Sequence, residues 1–74
     1  MNPEDIYAIF DNLDEEVISV HPFRYLAEQR LRLHFEQPGY EDDKERYYIA
    51  TLAECIAWQV TSAVEKVEAR NIHN

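Results

Sequence analysis

Residues 49–67, IATLAECIAWQVTSAVEKV, hold the most regular apolar pattern of the 74-residue chain. Apolar side chains recur every three or four positions, a spacing typical of one face of an α-helix. The residues of this pattern are Ile49, Leu52, Ala53, Ile56, Val60, Ala63, Val64 and Val67. The pattern predicts a helix over residues 42–70, about 43 Å long at about 1.5 Å per residue.

A helix of that length exceeds the domain that this chain can build. A compact chain of 74 residues has an expected radius of gyration of about 11 Å, and hence a diameter of roughly 30 Å. Either the helix breaks near Tyr47, or a second subunit covers the overhanging apolar residues, and the coiled-coil-like spacing favours a second subunit. We therefore predict a homodimer. Its predicted interface consists of Ile49, Ala53, Ile56, Val60, Ala63 and Val67.

The first segment also has helical spacing. Asn2 and Pro3 have the residue types of an N-cap followed by the first helical position. The apolar side chains that follow lie within about 100° of one another on a helical wheel, and they are Ile6, Ile9, Phe10, Leu13 and Val17. We expect a helix over residues 3–17, although the β-branched run at residues 17–20 suits an extended chain as well.

Pro22 begins a second segment, whose apolar residues spread over a broad arc of a helical wheel. This arc favours a helix up to Glu36, but the alternating pattern of residues 31–36 also suits a strand. Pro38 and Gly39 then predict a turn.

Together these segments predict an all-α fold, a single domain of residues 1–74 with three helices. The long third helix is its spine, and dimerisation completes it. The alternative is an α+β fold in which residues 31–36 and 46–52 pair as a β-hairpin across the Pro38–Gly39 turn.

Charge is concentrated at the amino terminus. The net charge is −8, and the first twenty residues hold six carboxylates without a lysine or arginine. On the predicted first helix an acidic face consists of Glu4, Asp11, Asp14 and Glu15. Such a face is either merely solvated, or a docking surface that steers a basic protein, or an imitation of nucleic-acid phosphates.

Trp58 is the most informative aromatic residue, because it points away from the apolar face of the predicted third helix. Tyr47 and Thr51 lie on the same side of that helix. Exposed tryptophan is common at the centre of protein interfaces, so these three residues form a candidate partner-binding surface. The alternative is that another part of the chain covers Trp58.

Arg30 and His34 lie one turn apart on the predicted second helix, among leucine and phenylalanine. They form a candidate anion site or salt-bridge pair. The alternative is that the arginine stem packs on the apolar residues while its charge reaches water.

Composition argues against several function classes. One cysteine excludes an intrachain disulfide, and the scattered histidines lack the close spacings of a zinc site. A single glycine disfavours a phosphate-binding loop, so we expect no catalytic residue, cofactor, metal or small-molecule substrate. The acidic pI disfavours direct binding of nucleic-acid phosphates. No stretch has the roughly 20 apolar residues of a membrane span, and without an export signal we expect a cytoplasmic protein.

The sequence thus indicates a non-catalytic interaction or regulatory protein that acts by binding another protein, with itself as one partner. A short acidic chain without a catalytic motif has the general character of inhibitors encoded by phages and mobile elements. The alternatives are a nucleic-acid mimic that blocks the basic groove of a DNA- or RNA-binding protein, and a structural subunit of a larger assembly.

Overall fold

The computed structural model describes residues 1–39 and 44–72, with side chains described up to Ala69. Its elements, in chain order, are β1 (Tyr7–Asp11), β2 (Glu16–His21), α1 (Arg24–Phe35), β3 (Tyr47–Thr51) and α2 (Leu52–Ile72). The strands form one antiparallel sheet in the order β2-β1-β3. The fold is therefore α+β, and the predicted all-α arrangement of three helices is wrong.

The helix predicted over residues 3–17 is instead the β1–β2 hairpin. Its turn is stabilised by Asp11, whose Oδ1 accepts hydrogen bonds from the backbone N–H groups of Leu13 at 2.9 Å and Asp14 at 3.2 Å. Glu15 completes the turn with a left-handed backbone, φ 57°. A carboxylate that binds the amides two and three residues ahead offers the backbone an alternative to helical hydrogen bonds. This turn chemistry prevailed over the helical spacing.

The second segment is helical as predicted. Phe23 has extended backbone angles, φ −135° and ψ 145°, and α1 then runs from Arg24 to Phe35. The alternative hairpin of residues 31–36 with 46–52 is wrong, because β3 pairs with β1, where Ile9 faces Ile49. The predicted turn after this helix is present, and Gly39 adopts a φ of 93°.

The third segment begins as a strand rather than as a helix. Residues 47–51 form β3, and α2 starts at Leu52, so a helix continuous over residues 42–70 is wrong; its predicted first residues lie outside the described ranges. Thr51 marks the boundary: its hydroxyl oxygen accepts the backbone N–H of Glu54 at 3.2 Å and donates to the Glu54 carboxylate at 3.1 Å. This reciprocal pair is a variant of the capping box.

The amino-terminal segment completes the start of α2. The N–H of Leu52 donates to the carbonyl of Ile6 at 2.9 Å, and the N–H of Ala53 donates to the carbonyl of Pro3 at 3.0 Å. These N–H groups lack partners within the helix. The 21-residue α2 is about 31 Å long at about 1.5 Å per residue.

The two helices cover opposite faces of the sheet. Ala8 and Phe10 of β1 lie in a buried cluster with Cys55 of α2, whereas Ile9 faces α1. The molecule measures 46 × 34 × 12 Å, and its thin dimension matches three strands spaced about 4.8 Å apart. It is a stack of helix, sheet and helix that is only one helix wide.

This narrow stack buries few apolar side chains. Among the residues that the structure describes, the buried apolar ones are Ala8, Ile9, Phe10, Ala27, Ala50 and Cys55. The radius of gyration is 14.5 Å, above the value of about 11 Å for a compact chain of this length. Much apolar surface therefore stays exposed on the edges and on α2.

Thr51→Ala tests the cap of α2. We expect a loss of about 1 kcal/mol of the free energy of unfolding and a fall of roughly 4–8 °C in Tm, measured by thermal denaturation. Thr61→Ala is the matched control, because Thr61 is exposed within α2. Equal shifts in the two variants would contradict the capping role.

Candidate protein-binding site

An aromatic cluster lies between α2 and the β3 side of the sheet. Phe10 and Tyr48 are cross-strand partners in β1 and β3, so their side chains project from the same face. Trp58 packs edge-on against Phe10, with ring centroids 5.3 Å apart, and against Tyr48, with centroids 6.5 Å apart. The sheet therefore fixes the position of the Trp58 ring from one side only.

The other side of this cluster opens to solvent as a cleft of about 470 Å³. Trp58 is 40% exposed and Tyr48 is 45% exposed. We call this feature the aromatic cleft; its lining residues are Phe10, Asn12, Glu15, Tyr48, Trp58 and Ser62. Its volume lies in the range of ligand sites, but its open, mainly apolar walls fit an inserted side chain better than an enclosed small molecule.

The rim of the aromatic cleft is held by Glu15. Its carboxylate accepts a hydrogen bond from the Ser62 hydroxyl and forms an ion pair with Lys66, whose Nζ lies 3.0 Å from Glu15 Oε2. The hydrogen bond from Ser62, followed by that from Lys66, lowers the pKa of Glu15. The hairpin turn is thereby attached to α2, and the Glu15 charge already has a partner.

A second ion pair attaches the same turn to the start of β3. Arg46 donates from Nε to Asp11 Oδ1 at 3.0 Å and from Nη2 to Asp11 Oδ2 at 2.8 Å. Asp11 is 3% exposed, and the Arg46 hydrogen bond is the main reason that its pKa falls to about 2. The Arg46 carbonyl also accepts the Asn12 N–H at 2.8 Å. Asn12 and Tyr48, both in the lining of the cleft, are positioned through these bonds.

The same region contains a carboxylate cluster. Ligand atoms of Asp11, Asp14 and Glu16 lie within 4.8 Å of one another. Arg46 Nη2 also donates to Asp14 Oδ2 at 3.2 Å. The guanidinium group of Arg46 thus compensates the negative charge of Asp11 and Asp14, and the cluster is an ion-pair network.

The structure divides the predicted acidic face between two ends of the molecule. Glu4 lies in the amino-terminal turn that contacts the start of α2, whereas Asp11, Asp14 and Glu15 lie together at the β1–β2 turn. The single column along a helix is absent because this segment is a hairpin. Asp14, with a side chain 57% exposed, is the member of the turn group most available to solvent.

The predicted aromatic surface is also separated. Tyr47 faces α1, where its ring contacts His34 with centroids 5.3 Å apart, Thr51 caps α2, and Trp58 lines the aromatic cleft. Neither Phe10 nor Tyr48 was assigned to a partner-binding site from the sequence alone. The strand alternation of YYIAT was the available signal, because it places neighbouring tyrosines on opposite faces.

The predicted dimer interface and the predicted Arg30–His34 pair are distributed over β3 and the two helices. Ile49 lies in β3 and faces α1. The remaining predicted dimer residues, Ala53, Ile56, Val60, Ala63 and Val67, lie on α2. Arg30 and His34 do lie together, beside Ile9 in a cavity of about 260 Å³ under α1.

Comparison with known proteins identifies no relative: no family model, no curated protein and no solved structure matches this chain. Within the described residues, neither helix combines the length and the apolar character needed to cross a membrane.

The low pKa of Asp11 predicts an acid-sensitive fold. The folded carboxyl titrates at about 2 and its ordinary value is 3.8, so the unfolded state takes up the proton first as the pH falls. We expect the free energy of unfolding to decrease between pH 4 and pH 2, measured by urea denaturation.

Asp11→Asn should remove this part of the pH dependence and cost about 1.5–3 kcal/mol near neutral pH, the range for a hydrogen bond to a charged group. The difference from the unmodified protein should shrink toward pH 2. Asp5→Asn, at an exposed position, is the matched control. An Asp11→Asn protein with the full acid dependence would refute this role of the ion pair.

Proposed function

We propose that this chain is a non-catalytic interaction protein that binds a partner protein at the aromatic cleft. The observation that carries this proposal is the exposure of Trp58 and Tyr48 beside buried Phe10. Large aromatic residues in partly formed pockets are the usual centres of protein interfaces. A flat apolar or aromatic side chain of the partner fits between these rings, with the Asn12 amide at the rim to donate or accept a hydrogen bond.

The electrostatics of the rim support a partner with basic residues around an apolar anchor. Glu15 is already paired with Lys66, so the cleft itself is nearly neutral. Asp14 beside it remains exposed, and the whole chain carries a charge of −8. Charges at the edge of an interface steer the encounter, whereas a desolvated apolar centre determines how long the complex lasts.

The regulatory role that we propose is inhibition or modulation of that partner, in the cytoplasm. A buried thiol at Cys55 is consistent with a reducing compartment. The nucleic-acid mimic has less support, because its column of carboxylates required a helix at residues 3–17, and Asp11 is neutralised by Arg46. A structural subunit of a larger assembly also stays a prediction.

Site-specific photo-crosslinking in native host cells tests the aromatic cleft. A photoreactive phenylalanine analogue replaces Tyr48, and in a matched control it replaces Tyr25, which is 63% exposed on α1. We expect one protein to be crosslinked from position 48 and not from position 25. The same products from both positions, or none from position 48, would contradict the proposal.

The crosslinked protein, once purified, should bind the unmodified chain directly. Tyr48→Ser removes an aromatic ring from the cleft and should weaken that binding at least tenfold, a loss of about 1.4 kcal/mol of binding free energy. Tyr25→Ser should leave the binding unchanged. The affinity should fall only modestly between 50 and 500 mM salt, because the rim charges act mainly on the association rate. A steep loss of affinity with salt would instead favour the nucleic-acid mimic.

A further inference from the structure

The face of α2 that points away from the sheet is apolar as well. Cys55 and Ser62 mark the side that contacts the rest of the fold. Four β-branched residues, Ile56, Val60, Val64 and Val67, are 43–57% exposed. At about 100° per residue, they are centred about 145° away from the sheet-facing side. We call these four residues, with the alanines at positions 53, 57 and 63, the outer stripe.

The outer stripe is symmetric about Val60. Positions 56 and 64 lie four residues on either side of it, 57 and 63 lie three residues away, and 53 and 67 lie seven residues away. An antiparallel neighbour reverses the order of residues along the helix. A second copy of α2 with its Val60 against Val60 therefore places an apolar residue opposite every residue of the stripe.

On α2 itself the sector around the outer stripe carries no charge between positions 53 and 67, and Asp14, Glu15 and Lys66 lie at its border, in a recess beside Val60 and Ala63. Between positions 53 and 67, every residue within about 100° of Val60 on a helical wheel is apolar or, at Gln59 and Thr61, uncharged. The charged residues of this range, Glu54, Glu65 and Lys66, lie outside that sector. In a chain with a charge of −8, such a sector has the composition of an interface core, where charged residues are depleted.

We propose that the outer stripe binds the outer stripe of a second copy of this chain, with the two α2 helices antiparallel around a twofold axis at Val60. A twofold interface requires one patch that is complementary to itself, and the symmetric spacing supplies it. The small side chains at positions 57 and 63 face each other across the dimer and allow the helix axes to approach to about 8–10 Å.

Residue sizes and charges favour the antiparallel arrangement over a parallel one. Antiparallel packing sets Ile56 against Val64 and Ala53 against Val67, so larger residues meet smaller ones. Parallel packing sets Ile56 against Ile56 and Ala53 against Ala53, so the largest side chains of the stripe meet at one level and the smallest at another. It would also bring both acidic turns, at Asp14 and Glu15, to the same level, whereas the helix dipoles favour opposite directions.

The expected dimer is reversible. The outer stripe is about 21 Å long, at about 1.5 Å per residue, and its outline of roughly 200 Å² is smaller than the ~800 Å² that each partner of a standard interface buries. We therefore expect a weak dimer that dissociates on dilution into the low micromolar range. Trp58 points about 160° away from Val60 on a helical wheel, so the dimer leaves the aromatic cleft open. The dimer and the partner site at the cleft can therefore be tested independently of each other.

Sedimentation equilibrium of the full chain from about 5 to 500 µM tests the dimer. The unmodified protein should convert from monomer to dimer over this range, and Val60→Glu, which sets two carboxylates at the twofold axis, should weaken association at least tenfold. Thr61→Glu adds the same charge one residue further on and should affect it much less. A monomer at every concentration, or a dimer unaffected by Val60→Glu, as when two sheet edges pair, would overturn the proposal.

Disulfide trapping tests the direction of the helices independently of Val60. Ile56→Cys and Val64→Cys proteins of different mass are mixed and oxidised, and the products are resolved by electrophoresis. We expect the mixed disulfide to dominate, since positions 56 and 64 face each other only in the antiparallel dimer. Cys55 should not compete, because it is fully buried and burial raises the pKa of its thiol. Products dominated by two copies of the same variant would overturn the antiparallel arrangement.

Discussion

The width of the sheet is the constraint on which the structure depends. In this three-stranded sheet β1 lies between β2 and β3, so it has a paired strand on each edge as well as α1 on one face and α2 on the other. Ala8, Ile9 and Phe10 are consequently almost completely buried, whereas no strand in the described part of the chain pairs with the outer edge of β2 or of β3. A strand that is buried on both faces needs apolar side chains at successive positions rather than at alternate ones. That is how the run Ala8-Ile9-Phe10 is used.

The same narrowness explains why the two proposed interfaces lie where they do. One helix covers one face of a sheet about as wide as itself, so residues beside that helix are only half covered. Tyr48 and Trp58 are in this position on the β3 side. None of the described elements packs on the outward face of α2; among them α2 contacts only the three strands. The ion pairs of Asp11 with Arg46 and of Glu15 with Lys66 compensate in part, because they hold the β1–β2 turn against β3 and α2.

Local pattern was sufficient for α1 and for the body of α2, since both helices follow a sustained apolar spacing between clear breakers. It failed for residues 3–17, where a hairpin with a β-bulge between Ile9 and Phe10 happens to repeat apolar residues at helical intervals. Two local signals were present and decisive: the carboxylate of Asp11 ahead of a turn, and the Thr51-x-x-Glu54 cap. The first marks the turn between β1 and β2, and the second sets the start of α2 at Leu52.

The candidate site was predictable only in part, for a different reason. Trp58 stands out in the sequence because it lies on the polar side of a helix. Its neighbours Phe10 and Tyr48 belong to strands that pair across a large separation in sequence, and the Asp11–Arg46 ion pair spans a similar separation. No short-range spacing encodes such pairings. The symmetry of α2 about Val60, by contrast, is entirely local, and it becomes informative once the structure shows which side of that helix is left uncovered.

The bonds from Pro3 and Ile6 to the first turn of α2 have a consequence for how the chain is made. They join residue 3 to residue 53 and residue 6 to residue 52. The central strand is therefore synthesised well before β3 and α2, the elements that complete its burial. Its hairpin with β2 can form early, but the face of β1 that packs against Cys55 stays uncovered until α2 has been translated. During this interval the nascent chain exposes an apolar face and an unpaired edge of β1, and chaperones protect such surfaces from aggregation.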